Sequence, residues 1–260
     1  MTTNMNNKNT EFPLGDLGVK TLGIIPARYA STRFPAKPLV DIAGKTMIQR
    51  VYEQAKKCDL DEVVVATDDD RISSVVESFG GKVVMTSTKH QSGTDRCAEV
   101  ALVMPGYDVV INIQGDEPFI DPAQIALVRS CFTDKSIQLA TLIKEIHSDE
   151  ELFNHNIPKV VINANQQAIY FSRHPIPYIR NAEKQEDWIT KHQFYKHIGI
   201  YGYTTETLLE ITKLKPSSLE LAESLEQLRW LENGYQIQTK VTGIETIAID
   251  TPEDLQKILF

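Results

Sequence analysis

The residues best equipped for chemistry lie in the stretch 24–39, IIPARYASTRFPAKPL. Arg28, Arg33 and Lys37 are spread along it among the small and hydroxyl residues Ala30, Ser31 and Thr32. Arg offers forked donors to phosphate oxygens and Lys a mobile point charge, so three cations on one loop match a triphosphate. Pro26, Pro35 and Pro38 restrict the loop and lower the entropy lost when it closes on an anion. The bland alternative is a solvated basic loop on an acidic protein.

A bound triphosphate calls for a metal, and magnesium is usually held by one or two carboxylates together with substrate phosphates. Asp116, in Gln114-Gly-Asp-Glu-Pro118, follows an apolar run at 108–113, and Gly115 beside it permits close approach. A lone Asp in a turn is as readily a cap. Asp250 is the second candidate: Thr251 is the better N-cap for a helix with Pro252 at its first position, which leaves the Asp250 carboxylate available. Two rival phosphate motifs fail. Ala43-Gly-Lys-Thr46 imitates the end of a Walker loop but has Leu39 where that motif needs Gly, and no GxGxxG follows a strand.

These residues need elements to hold them. Apolar runs predict strands at 21–26, 62–67, 82–86 and 108–113, and helical spacing predicts helices at 46–57, 71–79 and 94–104. This alternation predicts an α/β fold: a mainly parallel twisted sheet with helices on both faces and the ligand beyond the carboxyl ends of the strands. Residues 1–20 are expected to be a disordered leader and 21–260 a single domain. Within it, 138–218 reads as a smaller mixed α+β insertion for substrate or dimer contacts, with strands at 138–143 and 196–203 and a hairpin folded at 163–165. Ser217-x-x-Glu220 predicts one long helix over 219–233, ended by Gly234. A strand-helix unit at 246–259 closes the chain.

Several patterns have two readings. His90-Gln-Ser-Gly-Thr-Asp-Arg96 either faces a nucleotide or is only a capped helix start. Among Asp68, Asp69 and Asp70, a helix cap is the expected use. In 195–203, strand alternation puts His197, Gly199, Tyr201 and Tyr203 on one face, a wall for a hydroxylated ligand or half of an ordinary strand. Arg173 either meets a substrate carboxylate or forms an ion pair. On the helix at 219–233, Glu223, Glu226 and Gln227 fall off the Leu stripe, where most such side chains are solvated.

Composition excludes several classes. With 27 Lys and Arg against 35 Asp and Glu, the net charge of −8 argues against general nucleic-acid binding. Cys58, Cys97 and Cys131 are widely spaced and read as reduced thiols of a cytoplasmic protein. The leader lacks a signal-peptide pattern, and no apolar run is long enough to cross a bilayer.

Taken together, IIPARYASTRFPAKPL, HQSGTDR, NIQGDEP, YFSR, HIGIYGY, SLEQLR and IDTPEDL, in this order, resemble the 3-deoxy-D-manno-octulosonate (Kdo) cytidylyltransferases. The resemblance implies the nucleotide-diphospho-sugar transferase fold shared with GT-A glycosyltransferases, and a homodimer that activates Kdo with CTP for lipopolysaccharide assembly. It implies triphosphate contacts at Arg28, Ser31, Arg33 and Lys37, a magnesium site at Asp116 and Asp250, and nucleotide contacts at Ser92, Gly93, Thr94 and Arg96. Sugar contacts are implied at Gln114, Arg173, His197, Tyr201, Glu226 and Gln227. Ala36 departs from the family, which often has Gly in this Pro-Gly-Lys-Pro turn. The alternatives are a cytidylyltransferase for another sugar acid, such as a sialic acid or 8-amino-Kdo, and a catalytically silent nucleotide-binding protein.

Overall fold

A computed structural model describes residues 18–30, 34–182, 184–245, 247–249 and 251–259. Its first strand is β1 (Thr21–Ala27), buried along its length except at half-buried Pro26. A short hairpin follows, β2 (Asp41–Ile42) and β3 (Lys45–Thr46). Its two turn residues, Ala43 and Gly44, both have positive φ, 48° and 83°, as a tight two-residue hairpin requires. The Walker-like tetrapeptide is thus a hairpin turn. Thr46 caps α1 (Met47–Ala55), and Asp69 caps α2 (Asp70–Ser78) after β4 (Glu62–Thr67). Next come β5 (Val83–Met85), α3 (Gly93–Val103), β6 (Val109–Asn112) and α4 (Pro122–Arg129).

The later half contributes β7 (Leu139–Glu145), α5 (Asp149–Phe153), β8 (Lys159–Ile162), β9 (Ala168–Ser172), α6 (Trp188–Lys191), β10 (Tyr195–Thr204) and α7 (Thr205–Ile211). It ends with α8 (Ser218–Glu223), α9 (Gln227–Glu232), β11 (Gln238–Val241) and α10 (Pro252–Leu259). The main sheet runs β11-β7-β10-β6-β1-β4-β5. The pairs β1–β4, β1–β6, β4–β5 and β7–β11 are parallel, whereas β10 is antiparallel to both neighbours. The sheet is therefore mainly parallel with one reversed strand. Helices cover both faces: Ile48, Val51, Ile72, Val76 and Ile125 pack on Ile25, Val65 and Ile111, while Cys97, Val100, Leu208, Leu228 and Trp230 pack on Leu22, Ile24 and Val110.

Three expectations need revision. Residues 138–218 do not stand apart as an insertion, because β7 and β10 lie inside the central sheet; the β8–β9 hairpin joins it through the first residues of β10 and through a bridge from Gln167 to Gln238 of β11. A small core of Ile146, Leu152, Trp188 and Phe194 consolidates the rest of that segment. The long helix over 219–233 is two helices: Ser224 takes a left-handed conformation, φ 52°, and ends α8. Side-chain demands on both flanks enforce the break, with Glu223 turned to Ser172 and Arg173 and Glu226 turned to Thr94. Finally, 247–249 form no strand; Ile249 N–H instead donates to the Asp116 carbonyl at 3.0 Å.

Candidate active site

Parallel strands bring their carboxyl ends to one edge, and the chemistry-bearing residues collect there. Arg28 follows β1, Asp68 follows β4, Thr86 follows β5, and Gln114 and Asp116 follow β6. Because β10 is reversed, its stretch from His197 to Tyr201 comes to the same edge.

The loop after β1 folds back on itself, Ala36 N–H donating to the Tyr29 carbonyl at 3.0 Å. Arg28 is exposed at one end of it, and Lys37 opens a 3-10 turn at the other. The Lys37 ammonium donates to Asp116 Oδ2 at 2.7 Å, with side-chain exposures of 13% and 29%. Ser31 and Arg33, from the same predicted loop, lie outside the described residues, as do Asp250 and residues 1–17. A Cβ on Gly115 would stand 2.8 Å from the Pro26 carbonyl oxygen, so the turn carrying Asp116 packs directly on the end of β1. Glu117, which the motif reading passed over, is buried with Oε2 unpartnered among the described residues. Burial, and then the neighbouring Asp116 charge, push its pKa up to about 8.

On the expected nucleotide side, Ser92 caps α3 in a capping box with Asp95, as the helix-start reading of that motif has it. Gly93 lies against Pro26, where an added Cβ would come within 3.2 Å of the ring. Arg96 is only 1% exposed; its guanidinium donates to Asp68 Oδ2 at 3.0 Å and to the Thr86 hydroxyl. Asp69 does cap α2, as expected of that run, but Asp68 anchors a buried cation, which only the meeting of β4 with α3 makes possible.

The expected sugar side is built on β10. A bulge after Ile198 turns the Gly199 carbonyl toward Gln114, whose Nε2 donates to it at 2.7 Å. His197, Tyr201 and Tyr203 share one face, with ring centroids 5.1 Å apart for the first pair and 6.0 Å for the second. Ile198 and Ile200 face the opposite core. Burial lowers the pKa of His197 and raises that of both tyrosines well above the usual value. Trp230 stands edge-on to both tyrosine rings, at 5.1 and 5.7 Å, and Gln227 lies one turn before it on α9. Glu226 accepts from the Thr94 hydroxyl at 2.7 Å, which ties α9 to the start of α3. Tyr201 Oη and Gln227 Nε2 are buried without a hydrogen-bond partner among the described residues. Buried polar atoms left unsatisfied cost free energy, so a further polar partner would be stabilising here.

Arg173 sits differently from its expected role. Its Nε donates to the Glu223 carbonyl, Nη1 to that of His155 and Nη2 to that of Ser224, at 2.6, 3.1 and 3.2 Å. It clasps the break between α8 and α9.

The parallel sheet, the cation-carboxylate pair at its carboxyl edge and the polar wall beside it define a nucleotidyltransferase. A cytidylyltransferase family model matches residues 22–241. A 3-deoxy-manno-octulosonate cytidylyltransferase of Parabacteroides distasonis is 61% identical over 93% of this chain and 97% of its own, and that of Bacteroides thetaiotaomicron is 62% identical over 92% and 96%. A CMP:2-keto-3-deoxy-manno-octonic acid synthetase solved with CTP superposes with a TM-score of 0.86 at 44% identity, covering 92% of this chain and 97% of that one. A cytidylyltransferase from Leptospira borgpetersenii, at 17% identity and a TM-score of 0.60 over 93% and 85% of the two chains, shares the fold. The chain belongs to the cytidylyltransferase family, among the 3-deoxy-manno-octulosonate cytidylyltransferases.

Proposed function

We propose that this chain transfers a cytidylyl group from CTP to Kdo, forming CMP-Kdo and releasing pyrophosphate. The structural observation that carries the reading is the Lys37–Asp116 pair at 2.7 Å, set at the same sheet edge as the unsatisfied polar group around Tyr201 and Gln227. One part suits a metal-bound phosphate chain, the other a polyhydroxylated acid. CTP and Kdo are taken from the relatives, whose names and bound nucleotide support them.

In the proposed reaction the anomeric C2 hydroxyl of Kdo gives up its proton to solvent and attacks the α-phosphorus in line. A new P–O bond forms to the sugar as the bond to the β-phosphate breaks, and pyrophosphate departs with that electron pair. Arg28 and Lys37, with Ser31 and Arg33 from the same loop, bind the triphosphate and neutralise charge on the departing pyrophosphate. Ser92, Gly93, Thr94 and Arg96 shape the nucleoside side. Gln114, His197, Tyr201, Glu226 and Gln227 orient the sugar acid, and Arg173 holds the backbone that carries Glu226.

The residues fit magnesium. Asp116 is a hard-oxygen ligand at a partly open strand end, and the hydrogen bond from Ile249 to the Asp116 carbonyl brings the neighbour of Asp250 against it. Asp116 and Asp250 would hold the ion, which when bound supplies Lewis-acid polarisation of phosphoryl oxygens and a lowered pKa for the attacking hydroxyl. Among the described residues no helix is long and apolar enough to cross a membrane. We place the enzyme in the cytoplasm as a homodimer serving lipopolysaccharide assembly; exposed Ile169 and Tyr178, 58% and 74% accessible, support a subunit contact on the middle segment.

A pyrophosphate-release assay crossing four nucleotides with several sugar acids tests the reading. Magnesium-dependent release with CTP and Kdo alone is expected. Equal turnover of a sialic acid or 8-amino-Kdo would overturn the choice of acid, and no release with any pair would overturn the activity.

A further inference from the structure

Thr141 is fully buried on β7, and its hydroxyl meets three partners at the β10 bulge. The Ile200 carbonyl lies at 2.7 Å, the Ile198 carbonyl at 3.2 Å and His197 Nε2 at 2.9 Å. A hydroxyl has one proton, and carbonyl oxygens can only accept. The Thr141 proton is therefore committed to a carbonyl, the nearer being that of Ile200. Its oxygen lone pairs are left for the imidazole, so Nε2 must carry a hydrogen and donate it. The opposite arrangement would leave two carbonyl oxygens packed against a hydroxyl oxygen with no proton between them. His197 Nδ1 makes no hydrogen bond to any described side chain or backbone group and is left as an acceptor. An edge-on contact with Phe171 at 5.2 Å and a tilted one with Tyr201 at 5.1 Å fix the ring plane. The bulge itself supplies both carbonyls, which explains why an irregularity sits in the middle of a buried strand.

We propose that Thr141 is a positioning residue that locks His197 as the Nε2–H tautomer, so that Nδ1 accepts a hydrogen bond from a hydroxyl of the sugar-acid substrate. The sugar half of this statement rests on the function proposed above; the tautomer does not. A histidine held this way selects for a hydroxyl at the matching position of the ligand, because an acceptor or a bare carbon there leaves Nδ1 unsatisfied.

Nitrogen-15 spectra of histidine-labelled protein, recorded without substrate, read the tautomer directly. The His197 resonances, assigned by their loss in His197→Asn, are expected to show a protonated Nε2 and a bare Nδ1. Thr141→Val is expected to shift the population toward Nδ1–H. It should also raise KM for Kdo by about tenfold, the worth of one ligand hydrogen bond, while KM for CTP stays unchanged; Thr141→Ser should restore both. A native protein in the Nδ1–H form overturns the assignment. Normal KM for Kdo in Thr141→Val, or a Ser variant that behaves like the Val one, overturns the positioning role. Should the Val variant fail to fold, the native spectrum and Ser kinetics decide. Absence of turnover with CTP and Kdo in the native protein would instead refute the activity and leave the tautomer standing.

Discussion

Lys37 and Asp116 are 79 positions apart, yet their side chains meet at 2.7 Å, each completing what the other lacks at the mouth of the site. Asp116→Asn keeps the shape and removes the charge that the lysine and a magnesium ion would both need. Pyrophosphate release should fall by about two to three orders of magnitude, and near-normal turnover would sink the metal-phosphate reading. Lys159 offers a residue-level test of burial. It is fully buried, its ammonium donating to the Asn154 carbonyl at 2.8 Å, and desolvation lowers its pKa from 10.5 to about 8. Below about pH 8 both folded and unfolded chains hold the proton; between about 8 and 10.5 only the unfolded chain does. Stability from this group therefore rises with pH across that window. The unfolding free energy of wild type minus that of Lys159→Met, compared at the two ends of the window by urea titration, should increase; a flat difference would contradict it.

Elements in this fold are set by close backbone approaches that only certain residues tolerate. Ala36 adopts φ 58° and ψ 17°, so it carries the strain of a left-handed L-residue. Ala36→Gly should stabilise the protein by about 1 kcal/mol, read from the denaturation midpoint, with no loss of turnover. Gly115 is the reverse case. Its alanine variant would force a Cβ to 2.8 Å from the Pro26 carbonyl, and backbone cannot yield as a side chain can. We expect a loss of about 1–3 kcal/mol, and a drop in turnover larger than that of an alanine placed on the exposed face of α2, since the ends of β1 and β6 must separate. Unchanged stability in Gly115→Ala would show that the turn is looser than described.

At the scale of the whole molecule, one reversed strand makes the site. Parallel β1, β4 and β6 bring the phosphate-side residues to their carboxyl ends, and β10, running the other way, brings His197 and Tyr201 to meet them. The connector after β11 returns across the sheet and is pinned by Lys196 and Lys144, which both reach Glu245, before Ile249 bonds to Asp116. Ile169 and Tyr178 are exposed on the middle segment, where the proposed homodimer would seat its second copy. Light scattering during size exclusion should return about twice the chain mass of 29.3 kDa; a monomer mass would remove the proposed homodimer.

Strand runs, helix caps and turn residues answer to neighbours within a few positions, and these were legible in the chain. The alternation from β1 to β6, the capping box at Ser217, the hairpin at 163–165 and the shared face of His197, Tyr201 and Tyr203 all appear as read. The break at Ser224 was not legible, since the local pattern favours a continuous helix and only the partners of Glu223 and Glu226, far away in the chain, overrule it. Nor was the pairing of Asp68 with Arg96, the clasp made by Arg173, or the burial of Glu117 beside Asp116. The sequence by itself determined the order of elements, the cation-rich loop and the family resemblance, because those depend on residue type and short spacing. Which of its charged and polar side chains face one another was decided only by the tertiary structure, because the sheet order that joins β10 to β6 and β7 comes from long-range backbone pairing.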